Sequence, residues 1–224
     1  MPDLGLEVLW KGKNFIRLME GLWTALRISL ISALISILAG ILLGVLAGRK
    51  RSVFRVILRG WLAVIHIMPQ MVLLFLMYFG TSRAFGWNLS GEASAIIVFS
   101  LWGIAEMGDL VRGAVCSVPA IQRESAEALG LKPMQVYLMI ILPQAVRRLI
   151  PQAINLITRM IKTTSLVTLI GVVEILKVAQ QIIEANRRAS PNAAFGVYLT
   201  IFVMYYLACR PLTLISKQLE KHWR

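Results

Sequence analysis

Two uncharged runs constrain this chain before anything else does. Ile28 to Gly48 and Gly60 to Ser82 contain no Lys, Arg, Asp or Glu, and each matches the ~20 apolar residues that a helix needs to cross a bilayer. A water-soluble domain breaks its apolar residues into short periodic sets, and these runs are unbroken. Hydrophobic residues make up 58% of the chain, against roughly half in soluble domains, and the mean hydropathy is +0.72. Lipid offers the backbone no hydrogen-bond partner, so spanning segments of this length are expected as helices. The chain reads as an all-α integral membrane protein. A net charge of +13 would suit a nucleic-acid binder if the basic residues shared one soluble face. They fall instead in short segments between apolar runs, so the expected partner is the lipid bilayer, not nucleic acid.

Five spans are expected, over residues 21–47, 61–79, 93–113, 149–173 and 195–215, in one membrane domain covering 1–224. Met1 to Glu20, with Trp10, reads as an interfacial helix, and the apolar run after it as a retained first span rather than a cleaved leader. In that span Ser29, Ser32, Ser36, Gly40 and Gly44 recur at helical spacing, a pattern that admits a close neighbouring helix; the alternative is that the serines line a polar cavity, and packing is the commoner reason. Pro69 in the second span removes an N–H and frees the carbonyl four residues earlier. Glu174 to Pro191 reads as a polar, helix-like outer segment. Fourteen of the 24 Lys and Arg fall in the segments after spans 1, 3 and 5, seven fall in the others, and Arg27, Arg159 and Lys162 lie within spans. The positive-inside rule then puts the N-terminus outside and the C-terminus in the cytoplasm. Cys116 and Cys209 lie far apart in apolar or span-end contexts and read as small core residues, with no disulfide or metal site.

Between spans 3 and 4 sits a polar insert, about 119–145. Arg123, Glu124, Glu127 and Lys132 belong in water. Small residues (Ser125, Ala126, Ala128) open a short helix, Gly130 stops it, and Pro133 starts a second that Pro143 closes. This insert resembles the signature loop of bacterial ABC-transporter uptake permeases, E-A-A, three residues, G, nine residues, I-x-L-P. Glu124, Ala126, Gly130, Ile140, Leu142 and Pro143 fall in register, with Ser125 in place of the middle alanine. The similarity extends over nearly the whole chain and narrows to the histidine and glutamine permease type. Gly21-x-x-Thr24, Asp109-x-x-Arg112-Gly113, Gln122, Pro143-Gln144-Ala145, Pro151, Asn155 and Lys162-Thr163-Thr164-Ser165-Leu166 carry it. Departures are His66-Ile67-Met68-Pro69 for R-G-T-P, Thr163 for an aspartate, Asp109 for a glutamate, and the additional charges Glu106 and Arg159.

The resemblance implies a permease subunit of an ATP-driven importer of a polar amino acid in a bacterial inner membrane. Glu124, Ala126, Gly130, Leu131 and Pro143 would form the coupling loop that docks on an ABC ATPase pair. A second permease subunit, identical or related, and an extracytoplasmic amino-acid-binding protein would complete the assembly. ATP and Mg would be held by the ATPase, with no cofactor on this chain. The sequence agrees in having no G-x-x-x-x-G-K-[ST] phosphate loop, no H-E-x-x-H and no nucleophile elbow, so this chain is not expected to be an enzyme. An ATP-independent transporter or channel is the alternative.

Ionisable residues inside spans are costly unless paired or facing water, and they flag function. Glu106 and Asp109 share a helix face, as do Arg159 and Lys162. Asp109 with Lys162 is expected as a structural ion pair. Glu106 and Arg159 offer the two charges that a zwitterionic amino acid needs, or neutralise each other. His66 is either a packed lone histidine or a cavity-lining group, and Ser165 and Thr164 either line the path or bond back to their helix.

Overall fold

The computed structural model describes residues 5–48, 60 and 62–223, of which 46–48 by backbone only. The basic segment Arg49–Arg59 and the expected start of the second span at Trp61 lie outside the described residues. Every regular element described is helical. A one-turn helix α1 (Glu7–Trp10) precedes α2 (Asn14–Gly48), and residues 62–67 form α3. Next come α4 (Gln70–Phe75), a π-helical turn (Leu76–Gly80), α5 (Thr81–Phe85), α6 (Gly91–Cys116), α7 (Ala120–Ala128) and α8 (Pro133–Val136). A second π-helical turn (Tyr137–Ile141) runs into α9 (Leu142–Thr163), which tightens into a 3₁₀ segment (Thr164–Ile170) before α10 (Ile175–Ala185) and α11 (Ala193–His222).

Four helical stretches among the described residues are long and apolar enough to cross a membrane: Asn14–Val45, Gly91–Cys116, Pro133–Ile170 and Ala193–His222. Helix α2 begins at Asn14, ahead of the expected start at Gly21, and its 35 residues rise ~52 Å at 1.5 Å each, well beyond the ~30 Å hydrocarbon core. The expected second span is not one straight helix in its described part. Pro69 is extended (φ −60°, ψ 128°) and caps α4, because the proline ring disfavours a helical residue before it and removes a donor. The expected closure of the second loop helix at Pro143 is also overturned, since helix continues through it to Thr163. In the π-helical turn before it, Leu142 N–H reaches back five residues to the Tyr137 carbonyl. That shift leaves room for a residue with no N–H to follow.

The chain forms two compact units. The first takes the chain up to Ser32, Pro69–Phe99 and Arg159–Pro211; the second takes Ala33–Met68, Ser100–Thr158 and Leu212 onward. In the first, α10 buries Ile175, Val178, Ala179 and Ile182, the i, i+3, i+4, i+7 stripe of an amphipathic helix. They pack with Val8, Leu18, Ala193, Val197 and Ile201, so the segment read as polar has one thoroughly apolar face. A Cβ on Gly21 would fall 2.7 Å from the Ile175 backbone nitrogen; only glycine permits that approach. Ser32 Oγ donates to the Ile96 carbonyl at 3.4 Å.

In the second unit the stripe on α2 meets α6 as its spacing requires. Ser36 Oγ donates to the Ser100 carbonyl at 3.3 Å. A Cβ on Gly40 would lie 2.5 Å from Met107 Cβ, and one on Gly44 2.7 Å from Val111 Cβ. Lipid tails are as apolar as side chains, so backbone proximity and dispersion hold such helices together rather than a hydrophobic gain. Ser216 Oγ donates to the Pro151 carbonyl at 3.1 Å, next to the point where a proline interrupts the bonding of α9. Cys209 is buried, but Cys116 is exposed, because α6 ends there and turns into the loop.

Candidate functional site

The loop after α6 is held by its own backbone. Helix α7 spans Ala120–Ala128, so Ser125, Ala126 and Ala128 close this helix rather than open it. Its end is a Schellman motif: Gly130 N–H bonds the Glu127 carbonyl at 3.0 Å, and Leu131 N–H bonds the Ala126 carbonyl at 3.1 Å. The motif needs a left-handed residue, and Gly130 supplies it at φ +82°. Lys132 is extended before Pro133, which begins α8 at the position where a missing N–H costs nothing. Gln135 Oε1 accepts from Lys132 N–H at 2.8 Å, the returning half of a capping box.

Two further contacts tie the loop to its flanks. Gln144 Nε2 donates to Gln122 Oε1 at 2.6 Å. Arg148 Nη1 donates to the carbonyl and hydroxyl oxygens of Ser117. Ala126 is buried, while Glu124 and Pro143 are exposed. A depression of about 350 Å³ lies among Ile121, Ser125, Ala126, Leu129, Leu131 and Ile140. Around it Ile121, Leu129, Met134 and Met139 are 65–81% exposed. A polar loop carrying such an apolar set presents a surface shaped to be covered.

Of the ionisable span residues, the second unit brings three together. His66 Nε2 lies 3.8 Å from Glu106 Oε1 and its Nδ1 3.7 Å from Asp109 Oδ2. Asp109 Oδ1 also meets Arg112 Nη2 at 3.1 Å. Glu106 and Asp109 share a face of α6 as their spacing requires, and His66 is set between them rather than alone. Its neighbours are about forty residues away in the chain, so no local pattern marks it. In the first unit Arg159 and Lys162 end α9 one turn apart. Ser165 Oγ donates to the Lys162 carbonyl at 3.0 Å and Thr164 Oγ1 to the Ile161 carbonyl at 2.6 Å. Both hydroxyls thus bond back to their own segment.

Sequence reading missed one buried acid. Glu174, with no exposed surface, caps α10. It accepts from Thr168 Oγ1, from Lys177 N–H at 3.0 Å and from the Tyr205 hydroxyl at 3.3 Å. Burial pushes its carboxyl above the usual range, against the pull of hydrogen bonds from Thr168, the Leu176 and Lys177 amides and Tyr205. Its position directly before the apolar stripe of α10 is the signal that marks it as a cap. Glutamate is not among the favoured cap residues, so the composition does not draw attention to it.

Comparison with known proteins bears on the whole chain. Residues 40–224 match the family described as binding-protein-dependent transport system inner membrane component. The octopine transport system permease protein OccM of Rhizobium meliloti is 30% identical over 218 residues, 93% of this chain and 87% of that protein. The glutamine transport system permease protein GlnP of Escherichia coli K12 is 30% identical over 175 residues, covering 74% of this chain and 78% of GlnP. Among solved structures, a chain of an amino acid ABC transporter crystallised with histidines superposes with a TM-score of 0.86 at 21% identity, covering 94% of this chain and 95% of that one. The family match over residues 40–224 and the 30% identical relative agree, and the chain belongs to the family of inner membrane components of binding-protein-dependent transport systems, as a permease subunit of the ABC type.

Proposed function

We propose that this subunit carries a polar amino acid across a bacterial inner membrane through five spans, with the N-terminus outside and the C-terminus cytoplasmic. The broken α3–α4 stretch serves as the remaining span, and residues 1–224 act as one membrane domain. The subunit works with a second permease chain, an extracytoplasmic binding protein and a pair of ATPase subunits that hold ATP and Mg. Relatives named for octopine, glutamine and cystine transport support the substrate class. Glu106, Arg159, His66 and Ser165 line the substrate path, Ser165 as an acceptor only, since its hydroxyl proton is given to the Lys162 carbonyl. Asp109 and Lys162 form a structural ion pair, with Arg112 and His66 adding to the charge balance around Asp109.

The observation that carries the coupling role is the hydrogen-bonded bend at Gly130 beside exposed apolar Leu129 and Met134. A loop with a fixed shape can transmit displacement. Glu124, Ala126, Gly130, Leu131 and Pro143 belong to this shape: Ala126 and Leu131 close the bend, Gly130 permits it, Pro143 follows the π-helical turn, and Glu124 offers charge to the ATPase. Substituting Gly130 tests it. Nothing lies within 4 Å of a Cβ at this position, so Gly130→Ala meets only backbone strain of about 1–2 kcal/mol and keeps most transport. Gly130→Arg adds bulk and charge at the docking face, and it is expected to assemble in the membrane yet lose substrate-stimulated ATP hydrolysis in the reconstituted complex. Unchanged hydrolysis with Gly130→Arg sinks the coupling role.

A further inference from the structure

A larger cavity, with charged residues in its wall, lies in the same unit as the loop. It measures about 620 Å³ and is lined by the last turns of α6, the first turns of α9 and the end of α11. That volume falls in the range of small-molecule sites, ~300–1,000 Å³. Its wall carries both signs of charge. Arg147 and Arg148 come from α9, Glu220 from α11, and Asp109 from α6, with Trp223 and Gln152 between. Asp109 is already engaged by Arg112 and His66. Arg147 and Glu220 form no ion pair with each other or with any other described residue, although they face one space. Arg148 spends only its Nη1 on Ser117, and a guanidinium has five N–H donors.

We propose that this cavity binds a small zwitterion, its anionic group held by Arg147 and Arg148 and its ammonium by Glu220, with the Trp223 ring as a wall. Guanidinium groups suit carboxylate and phosphate geometry through paired N–H bonds. A free α-amino acid and the headgroup of an ethanolamine phospholipid share this chemistry. The inference rests on the amino-acid transport reading only for its choice of free ligand. Because Arg148 also holds Ser117, two residues before the Pro119 that caps α7, the ligand would sit at the base of the coupling loop.

The test uses the full chain in nanodiscs of phosphatidylglycerol alone, titrated with L-glutamine by calorimetry. Binding is expected, and Arg147→Gln and Glu220→Gln should each weaken it at least tenfold. On the unaltered chain, N-acetyl-L-glutamine, which lacks the ammonium, and L-glutamine methyl ester, which lacks the carboxylate, should be weaker by the same margin. These ligand controls need no variant to fold. Discs containing phosphatidylethanolamine form the second arm. If glutamine fails to bind but the lipid is retained in native mass spectra, and both variants release it, the headgroup is the occupant. The proposal is overturned if neither ligand binds, or if binding ignores both variants and both modified ligands. It is also overturned if Glu106→Gln abolishes glutamine binding while the cavity variants leave it intact, because the ligand then belongs to the transport path. Transport by the complete complex, measured separately, stands or falls independently of this result.

Discussion

Glu174 shows how one residue couples the first unit to pH. Its carboxyl is held above the ordinary value of 4.5 by burial, so the folded state favours the protonated form. For a group raised in this way, the stabilising contribution is fully present below the unfolded pKa and is lost as pH rises through the folded value. Glu174→Gln keeps an acceptor for Thr168 and the Lys177 amide without a buried charge. Its thermal midpoint in detergent should therefore match or exceed that of the parent at pH 8, and the advantage should vanish toward pH 4.5. Glu174→Ala strands those donors and removes the cap, at a cost of about 1 kcal/mol or more at either pH. A Gln variant less stable than the parent at pH 8 would refute this account. The charges near the path admit a sharper separation. A double-mutant cycle on Asp109 and Lys162, read as membrane assembly, should show a coupling of about 0.5–3 kcal/mol. If Glu106 and Arg159 contact the substrate, their cycle should show loss of transport without coupling in assembly. Strong assembly coupling in the second cycle would make them another structural pair.

At the scale of elements, the small-residue stripe on α2 is the firmest link from sequence to packing. Gly40→Val would force a side chain into Met107 and should destabilise by about 1–3 kcal/mol. Gly113→Ala, with nothing within 4 Å of its new Cβ, should be neutral or slightly stabilising; equal melting of the two would dissolve the packing argument. This stripe was legible because small residues at helical spacing serve close helix packing more often than a polar lining. The bend at Gly130 and Pro133 was legible for the same reason, since each residue type answers a specific backbone need. Helix continuing through Pro143 was not, because a π-helical turn leaves no mark in residue type and the usual rule for proline then misleads. The grouping of His66 with Glu106 and Asp109 was hidden for another cause: pairing across helices depends on their rotation, which apolar periodicity in lipid constrains weakly. The amphipathic stripe of α10 lay in the sequence throughout, masked by the charges that share its segment.

For the whole molecule, orientation is the property on which the roles of loop and cavity depend. Single cysteines introduced at Arg83 and Lys132, in a chain freed of Cys116 and Cys209, should label differently in intact cells. An impermeant maleimide should reach position 83 and spare position 132 until the membrane is opened. Labelling of position 132 from outside would invert the topology and move the coupling face to the wrong compartment. A last consequence concerns compliance. The end of α7 is closed by Leu131 on Ala126, α7 is pinned to α9 by Gln144 on Gln122, and helix runs without a coil from Pro133 to Thr163. Springs in series yield at the softest one, and between the exposed Leu129 and the spanning helix the links that are not α-helical are the four-residue turn Leu129–Lys132, closed by the bond from Leu131 to Ala126, and the π-helical turn Tyr137–Ile141. If the loop docks on the ATPase as proposed, a displacement applied there reaches the spanning helix through those two turns, and their stiffness sets how much of it is absorbed.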